Sequence, residues 1–335
     1  MNQEPPPEVQ ITPHPELWFE DGNIELIAEN VSFRVHKTVL AGSSDFFKDM
    51  FSLPQPPVDE PAEGETQSIQ PDVPRLQTSE TVEDLAHFLD VMYNSLRYFQ
   101  KDSQITYNSL QAVLILSQKF SAEALRTFAI GRLEAAFPRS FTEWEAIMTG
   151  DRVQPVIYSE DELFSIANLA RETVLTHILP VVLYDCCQQD IDWILEGIEK
   201  ADGKRIELSA ENRKSCLQAR SKLTAATLQM LRTLSYARDG LCDQYGCISA
   251  LRDISGGDLV NDRLLHHPMV VLDEEFESAP QPQPQGVALL NMVGAAPVTG
   301  IASLCRLCRD NCRNQMRIAR EKLLRDMDEY IPINA

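Results

Sequence analysis

Two periodicities alternate along the chain. Behind Asp21-Gly22-Asn23, a turn by composition, Ile24 to Ala28 is an apolar run, and Val31, Phe33 and Val35 then alternate with Ser32, Arg34 and His36. Apolar residues at every second position line one face of a strand, so this stretch predicts a strand pair bent at Glu29-Asn30. The period then lengthens. Val39 and Leu40 begin a short helix, and Ser44 stands where a hydroxyl caps a second one carrying Phe46, Phe47, Met50 and Phe51. Arg75-Leu76-Gln77 reads as a further short strand. Thr81 and Asp84 lie at capping-box spacing ahead of Leu85, Phe88, Leu89, Met92 and Leu96, which form one helical stripe. Leu110, Val113, Leu114 and Ser117, then Leu125, Phe128, Ala129 and Leu133, repeat the helical period up to Pro138.

Helical spacing continues at Phe141 to Met148, at Glu160 to Cys187 behind Ser159 and Glu162, at Ala210 to Tyr236, and at Ser303 to Asp328. Between these elements the composition shifts. Residues 1–16 carry five prolines and read as a disordered tail, with order beginning near Trp18. From Pro54 to Pro74 there are six prolines and five acidic residues with no basic one, which predicts a flexible insertion. Asp273-Glu274-Glu275 leads into a proline-glutamine stretch that reads as an extended linker. The expected fold class is α+β: a folded N-terminal domain over 17–140 with its insertion at about 54–74, an all-helical region over 141–272, a linker over 273–300, and an amphipathic basic helix over 301–335.

Charge and chemistry narrow the function. A formal net charge of -20 opposes the counterion release that drives general nucleic-acid binding, and it disfavours anionic membrane surfaces. There is no charged segment ahead of an apolar run at the N-terminus and no bilayer-length apolar stretch, so the expected location is the cytosol or the nucleus. The sequence contains no G-x-G-x-x-G, Walker loop, G-x-S-x-G or H-E-x-x-H, and His36 has no nucleophile motif beside it, so no enzyme is expected.

All eight cysteines lie from Cys186 onward. Cys242-x4-Cys247 sits in a Gly-containing loop stretch, and Cys305-x2-Cys308 opens the last helix after 57 intervening residues. Four thiolates so spaced can hold a tetrahedral zinc ion, the second pair aided by a helix N-terminus, and would then lie within about 4 Å of one another. The alternative is a set of reduced thiols acting as small hydrophobes, with Cys308 and Cys312 in an apolar helical stripe. Cys186, Cys187 and Cys216 read as core, and His266-His267 as loop. Arg306, Arg309, Arg313, Arg317 and Arg320 recur every three or four residues and share one helix face, and Lys322 and Arg325 continue the basic character. That face suits an acidic partner, the chain's own acidic insertion, nucleic acid, or simply solvent.

The order Asn23-Ile24-Glu25-Leu26, then Val31-Ser32-Phe33-Arg34-Val35-His36-Lys37-Thr38-Val39-Leu40-Ala41, then Ser44 to Phe51, resembles the BTB/POZ signature, F-x-x-H-[KR]-x-V-L-A followed by S-x-x-F-x-x-M-F. The wording of Trp18 to Ala28 and of Phe51 to Pro56 further resembles a group of BTB proteins of mushroom-forming fungi. The resemblance implies a fold built on Phe33, His36, Lys37, Leu40, Phe47 and Phe51. It implies pairing with other proteins, as a homodimer or as a substrate adaptor of cullin ubiquitin ligases. Dimeric members resemble one another in a buried Asp near the basic residue that follows the histidine; here Asn23 takes that place beside Lys37, with Asp21 two residues away. Cullin adaptors often carry a hydrophobic-x-Glu motif after the second core helix, and Val58-Asp59-Glu60 has that form. A zinc-containing nuclear regulator that engages an acidic partner or nucleic acid through the last helix is the alternative.

Overall fold

Strand formation begins earlier than hydrophobic alternation suggests. In the computed structural model, which describes residues 10–53, 73–100, 102–200, 203–234, 242, 246–249, 251 and 304–333, β1 spans Thr12–Trp18 and pairs parallel with β3, Val31–Val35. The tail read over residues 1–16 is therefore corrected from Thr12 onward. Pro13 and Pro15 fit because β1 is an edge strand, where a missing N–H breaks no second ladder, and the register shifts between Pro13 and Trp18. The insertion triplet Val58 and Glu60, nearly all of the 54–74 insertion, His266-His267 and the linker over 273–300 lie outside the described residues.

β2, Ile24–Ala28, pairs antiparallel with β3 through a tight turn in which Glu29 takes a positive φ of 52°. β4, Arg75–Gln77, adds parallel to β2, giving the order β1-β3-β2-β4. β2 is buried along its whole length, including Glu25, whose carboxylate accepts from Ser32 Oγ at 3.3 Å and from Arg75 Nε at 2.9 Å. Those two donors supply part of the solvation that burial removes.

Helices cover the sheet. α1 is Lys37–Ser43 and α2 is Asp45–Ser52, the latter capped by Ser44 Oγ, which accepts from Phe47 N–H at 3.2 Å. α3, Val82–Tyr93, opens on the Thr81/Asp84 capping pair, and Asp84 N–H donates to Thr81 Oγ1 at 3.1 Å. It ends at Asn94, so Leu96 does not continue the stripe; it falls in the short α4, Ser95–Tyr98, and is exposed. Asn94 diverts the chain because its side-chain amide bonds the Asp90 carboxylate at 2.6 Å, a local bond that competes with helix continuation. α5, Tyr107–Lys119, packs on α3, and α6, Glu123–Ala136, follows. The chain divides into two units at Arg132/Leu133. The core of the first gathers Leu26, Phe33, Leu40, Phe47, Leu85, Phe88, Leu89, Leu110 and Leu114, all essentially inaccessible.

The second unit is mostly helical. α7 spans Phe141–Met148, α8 Glu162–Glu172, α9 Leu179–Cys186, α10 Ile191–Glu196 and α11 Ala210–Leu234. The single helix expected from Glu160 to Cys187 is thus two. Val174 adopts φ 60° after α8, and Pro180 sits in the first turn of α9, the place in a helix where a missing N–H costs nothing. The region is not all-helical either, because Ile198–Glu199 and Arg205–Ile206 form a small antiparallel hairpin. α12, Arg306–Arg325, packs against α7 and α11, and α13, Met327–Tyr330, packs on α9 and α11.

The C-terminal end is tied by polar contacts. Arg139 forks onto Asp328 at 3.0 and 2.8 Å, Arg171 Nη1 donates to the Ile333 carbonyl at 2.8 Å, and Lys222 Nζ to that of Glu329 at 2.8 Å. Asn168 and Asn212 bond each other at 3.0 Å and join α8 to the start of α11. Among the described residues no helix is long and apolar enough to cross a membrane.

Candidate functional site

The cysteines that the sequence divides into two pairs converge. Cys242, Cys247, Cys305 and Cys308 place their sulfurs within 4.8 Å of one another. The sulfurs of Cys305 and Cys242 lie 3.7 Å apart. Zinc–sulfur bonds of about 2.3 Å in a tetrahedron put sulfurs about 3.8 Å apart. One edge therefore already has that length, and the widest exceeds the expected 4 Å, so closure on an ion needs an inward movement of about 1 Å.

Local structure explains why these sulfurs meet. Cys305 is the N-cap of α12 and Cys308 lies in its first turn, so both sit in the positive field of a helix N-terminus. The helical spacing that aims Cys308 inward also buries Cys312, Met316 and Leu323, so the apolar stripe and the thiol site share one helix face. Residues 246–249 are helical and bring Cys247 beside the Cys305 backbone N–H, which donates to its sulfur at 3.2 Å. The Cys308 backbone N–H and the neighbouring thiols hold the Cys305 thiol down to about 7, near the point where it is a thiolate at neutral pH. The donor chemistry is all sulfur, the set favoured by zinc and other thiophilic ions. Cys242, Cys247 and Cys308 are buried, while Cys305 is partly open to solvent.

The other four thiols differ. Cys186, Cys187 and Cys216 are buried among helices with their sulfurs near the carbonyls of Leu163, Cys216 and Leu183 at 3.9, 3.6 and 3.9 Å. Burial pushes the Cys186 and Cys187 thiols well up, which keeps them neutral. Cys312 occupies the α12 stripe.

In the first unit Phe33, Leu40 and Phe47 are in the core, and Phe51 stacks on Phe47 with ring centroids 6.0 Å apart. His36 is held on three sides. Its backbone N–H donates to Tyr93 Oη at 2.8 Å, its Nδ1 lies 3.1 Å from the same hydroxyl, and its Nε2 lies 3.2 Å from Asp21. Asp21 thus serves His36 rather than Lys37. Asn23 and Lys37 do meet, but through the backbone: Lys37 N–H donates to Asn23 Oδ1 at 2.8 Å, which caps the start of α1. The Lys37 ammonium lies over the Phe51 ring, 5.7 Å from its centroid. Sequence reasoning had no signal for the ammonium's direction, since an i,i+14 cation–π contact follows from how α1 and α2 fold back on each other.

The basic face of α12 is already engaged in part. Arg306 and Arg313 approach Asp310 at 3.9 and 3.6 Å, Arg317 approaches Glu145 at 3.4 Å, and Arg325 approaches Asp326 at 3.1 Å. In the first unit an open cleft of about 460 Å³ lies between β1 and α3, lined by His14, Glu29, Glu83 and His87 among others.

Compared with known families, residues 20–130 match the model of the BTB/POZ domain. That segment is a BTB/POZ domain, generally a module for protein–protein association. No curated protein matches the chain. No solved structure matches it either.

Proposed function

We propose that this protein is a non-enzymatic interaction protein whose BTB/POZ domain pairs with a second copy of the chain, or joins it to a cullin ubiquitin ligase as a substrate adaptor. The observation that carries the reading is the BTB/POZ match over residues 20–130, together with a sheet and helices whose signature residues serve packing. His36 has its ring nitrogens turned toward Tyr93 and Asp21, which suits a fold-defining histidine better than a catalytic base. In the dimer reading Lys37 and Asn23 line the pocket at the start of α1, and in the adaptor reading Val58 and Glu60 contact the scaffold. Kinship with the BTB proteins of mushroom-forming fungi belongs to the same proposal, and so does a location in the cytosol or nucleus, which the eight free thiols support.

One zinc ion bound by Cys242, Cys247, Cys305 and Cys308 is part of this proposal. Bound there, zinc would supply a structural cross-link and no reaction. Its site would anchor the N-terminal end of α12 while Arg139 and Asp328 fasten α13 just beyond its other end. A tetrathiolate zinc site carries a net charge of about −2, and the α12 N-terminus with Arg306 and Arg309 offsets it.

The zinc-containing nuclear regulator is supported by the same cluster and by the basic face of α12. Pairing of Arg306, Arg313, Arg317 and Arg325 with carboxylates of this chain, and a net charge of -20, favour a protein partner over nucleic acid. Affinity purification with mass spectrometry tests the choice. Recovery of a second copy or a cullin supports the interaction reading, and salt-sensitive retention on DNA supports the regulator. Elemental analysis of the purified chain tests the metal, with about one equivalent expected.

A further inference from the structure

We infer that the four-cysteine centre is a redox-released clamp, in which peroxide oxidation joins Cys305 to Cys242 and expels the metal. The inference rests on the zinc reading above and adds its regulation. Three of the four sulfurs are buried, so a small oxidant meets Cys305 first. Cys242 places its sulfur 3.7 Å from that of Cys305, inside the 4.8 Å span of the cluster and within reach of a direct S–S bond after a small movement. The three core thiols elsewhere in the unit, Cys186, Cys187 and Cys216, are buried and lie outside this cluster.

The chemistry balances with hydrogen peroxide as the oxidant. The Cys305 thiolate attacks one peroxide oxygen, the O–O bond breaks, hydroxide leaves and takes up a proton as water, and Cys305 becomes a sulfenic acid. The Cys242 sulfur then attacks the Cys305 sulfur, an S–S bond forms, the S–O bond breaks, and a second hydroxide leaves as water. Two electrons pass from two thiolates to one peroxide. With two of four ligands spent, Cys247 and Cys308 alone cannot complete a tetrahedral site, so zinc departs. The N-terminal end of α12 loses its anchor, whereas α13 beyond its other end keeps the Arg139–Asp328 fork.

The test uses the full chain. Zinc content is measured first, on untreated protein, which settles the metal reading separately. Zinc-loaded protein is then treated with hydrogen peroxide, released zinc is followed with a chromogenic chelator, and disulfides are mapped by mass spectrometry of non-reduced, alkylated peptides. The expected result is one zinc released per chain, with a Cys242–Cys305 link as the dominant disulfide, both reversed by a thiol reductant and added zinc. Release accompanied by a different dominant link, or retention of zinc while Cys186, Cys187 or Cys216 is oxidised, would overturn the inference. Cys305→His keeps a fourth zinc ligand and removes the oxidisable entry point. If that variant binds zinc, its release by peroxide should slow at least about fivefold; release at the wild-type rate would also overturn the inference. If it binds none, the disulfide map of the wild type decides.

Discussion

Truncating Phe47 to alanine should destabilise the first unit selectively. The ring is 1% exposed and sits against Phe46, Phe51 and Phe120 at centroid distances of 5.4, 6.0 and 5.0 Å. Returning it to water forfeits about 1.5–3 kcal/mol of burial. A partly collapsed cavity adds roughly 1–2 kcal/mol, giving a loss of about 3–5 kcal/mol. A domain of ordinary stability holds about 5–15 kcal/mol, so about a fifth or more of its margin disappears. Hydrogen–deuterium exchange on the full chain reads the two units separately. Amides of α2, α3 and α5 that exchange by global opening of the first unit should exchange about two to three and a half orders of magnitude faster, at about 1.4 kcal/mol per tenfold. Amides of α8, α9 and α11 should keep their protection. Wild-type exchange in α2 and α3 would refute the core assignment, and equal acceleration of both units would refute the view that the BTB/POZ domain folds independently.

Three further outcomes follow from particular contacts. Chelation of the metal should raise exchange at residues 306–312 of α12 and leave the first unit unchanged; equal exchange before and after would argue against a structural metal. Arg75→Ala should cost the first unit about 1–2 kcal/mol in urea unfolding, because the buried Glu25 carboxylate loses its charged donor and is left with the Ser32 hydroxyl, and Glu25→Gln in the same background should recover part of the loss. Burial among helices pushes the Asp185 carboxyl up to about 7 from an ordinary value near 3.8. A carboxyl raised on folding favours the native state while it is protonated, so its contribution is lost as pH climbs from about 4 to about 7 and stays lost above that. Asp185→Asn should therefore flatten the pH–stability profile over that window and stabilise the second unit above pH 7 by about 1–3 kcal/mol, discounted for its partial exposure; an unchanged profile would deny the burial effect.

What the sequence disclosed and what it hid have physical reasons. Val31, Phe33 and Val35 alternate because one face of β3 is buried, and that alternation is the signal a strand leaves in a sequence. β1 left no such signal: of Thr12–Trp18 only Leu17 is buried, and two prolines disguise an edge strand held by parallel pairing to β3. The break between α8 and α9 was written in Pro180, yet the surrounding apolar residues keep helical spacing across it, so periodicity alone ran through. Leu96 matched the α3 stripe by number, and only the Asn94–Asp90 side-chain bond reveals that the helix has stopped. The four cysteines were legible from spacing and helix position. Their approach across 57 intervening residues, and the openness of Cys305 relative to the others, depend on tertiary packing that no local pattern encodes.

The central claim, that the chain works by pairing with other proteins through its BTB/POZ domain, is tested most directly by multi-angle light scattering of the full-length protein during size-exclusion chromatography at micromolar concentration. A self-pairing chain of 37.8 kDa should elute with a mass of about 76 kDa, twice its own. A mass of 37.8 kDa across that concentration range would contradict pairing with a second copy.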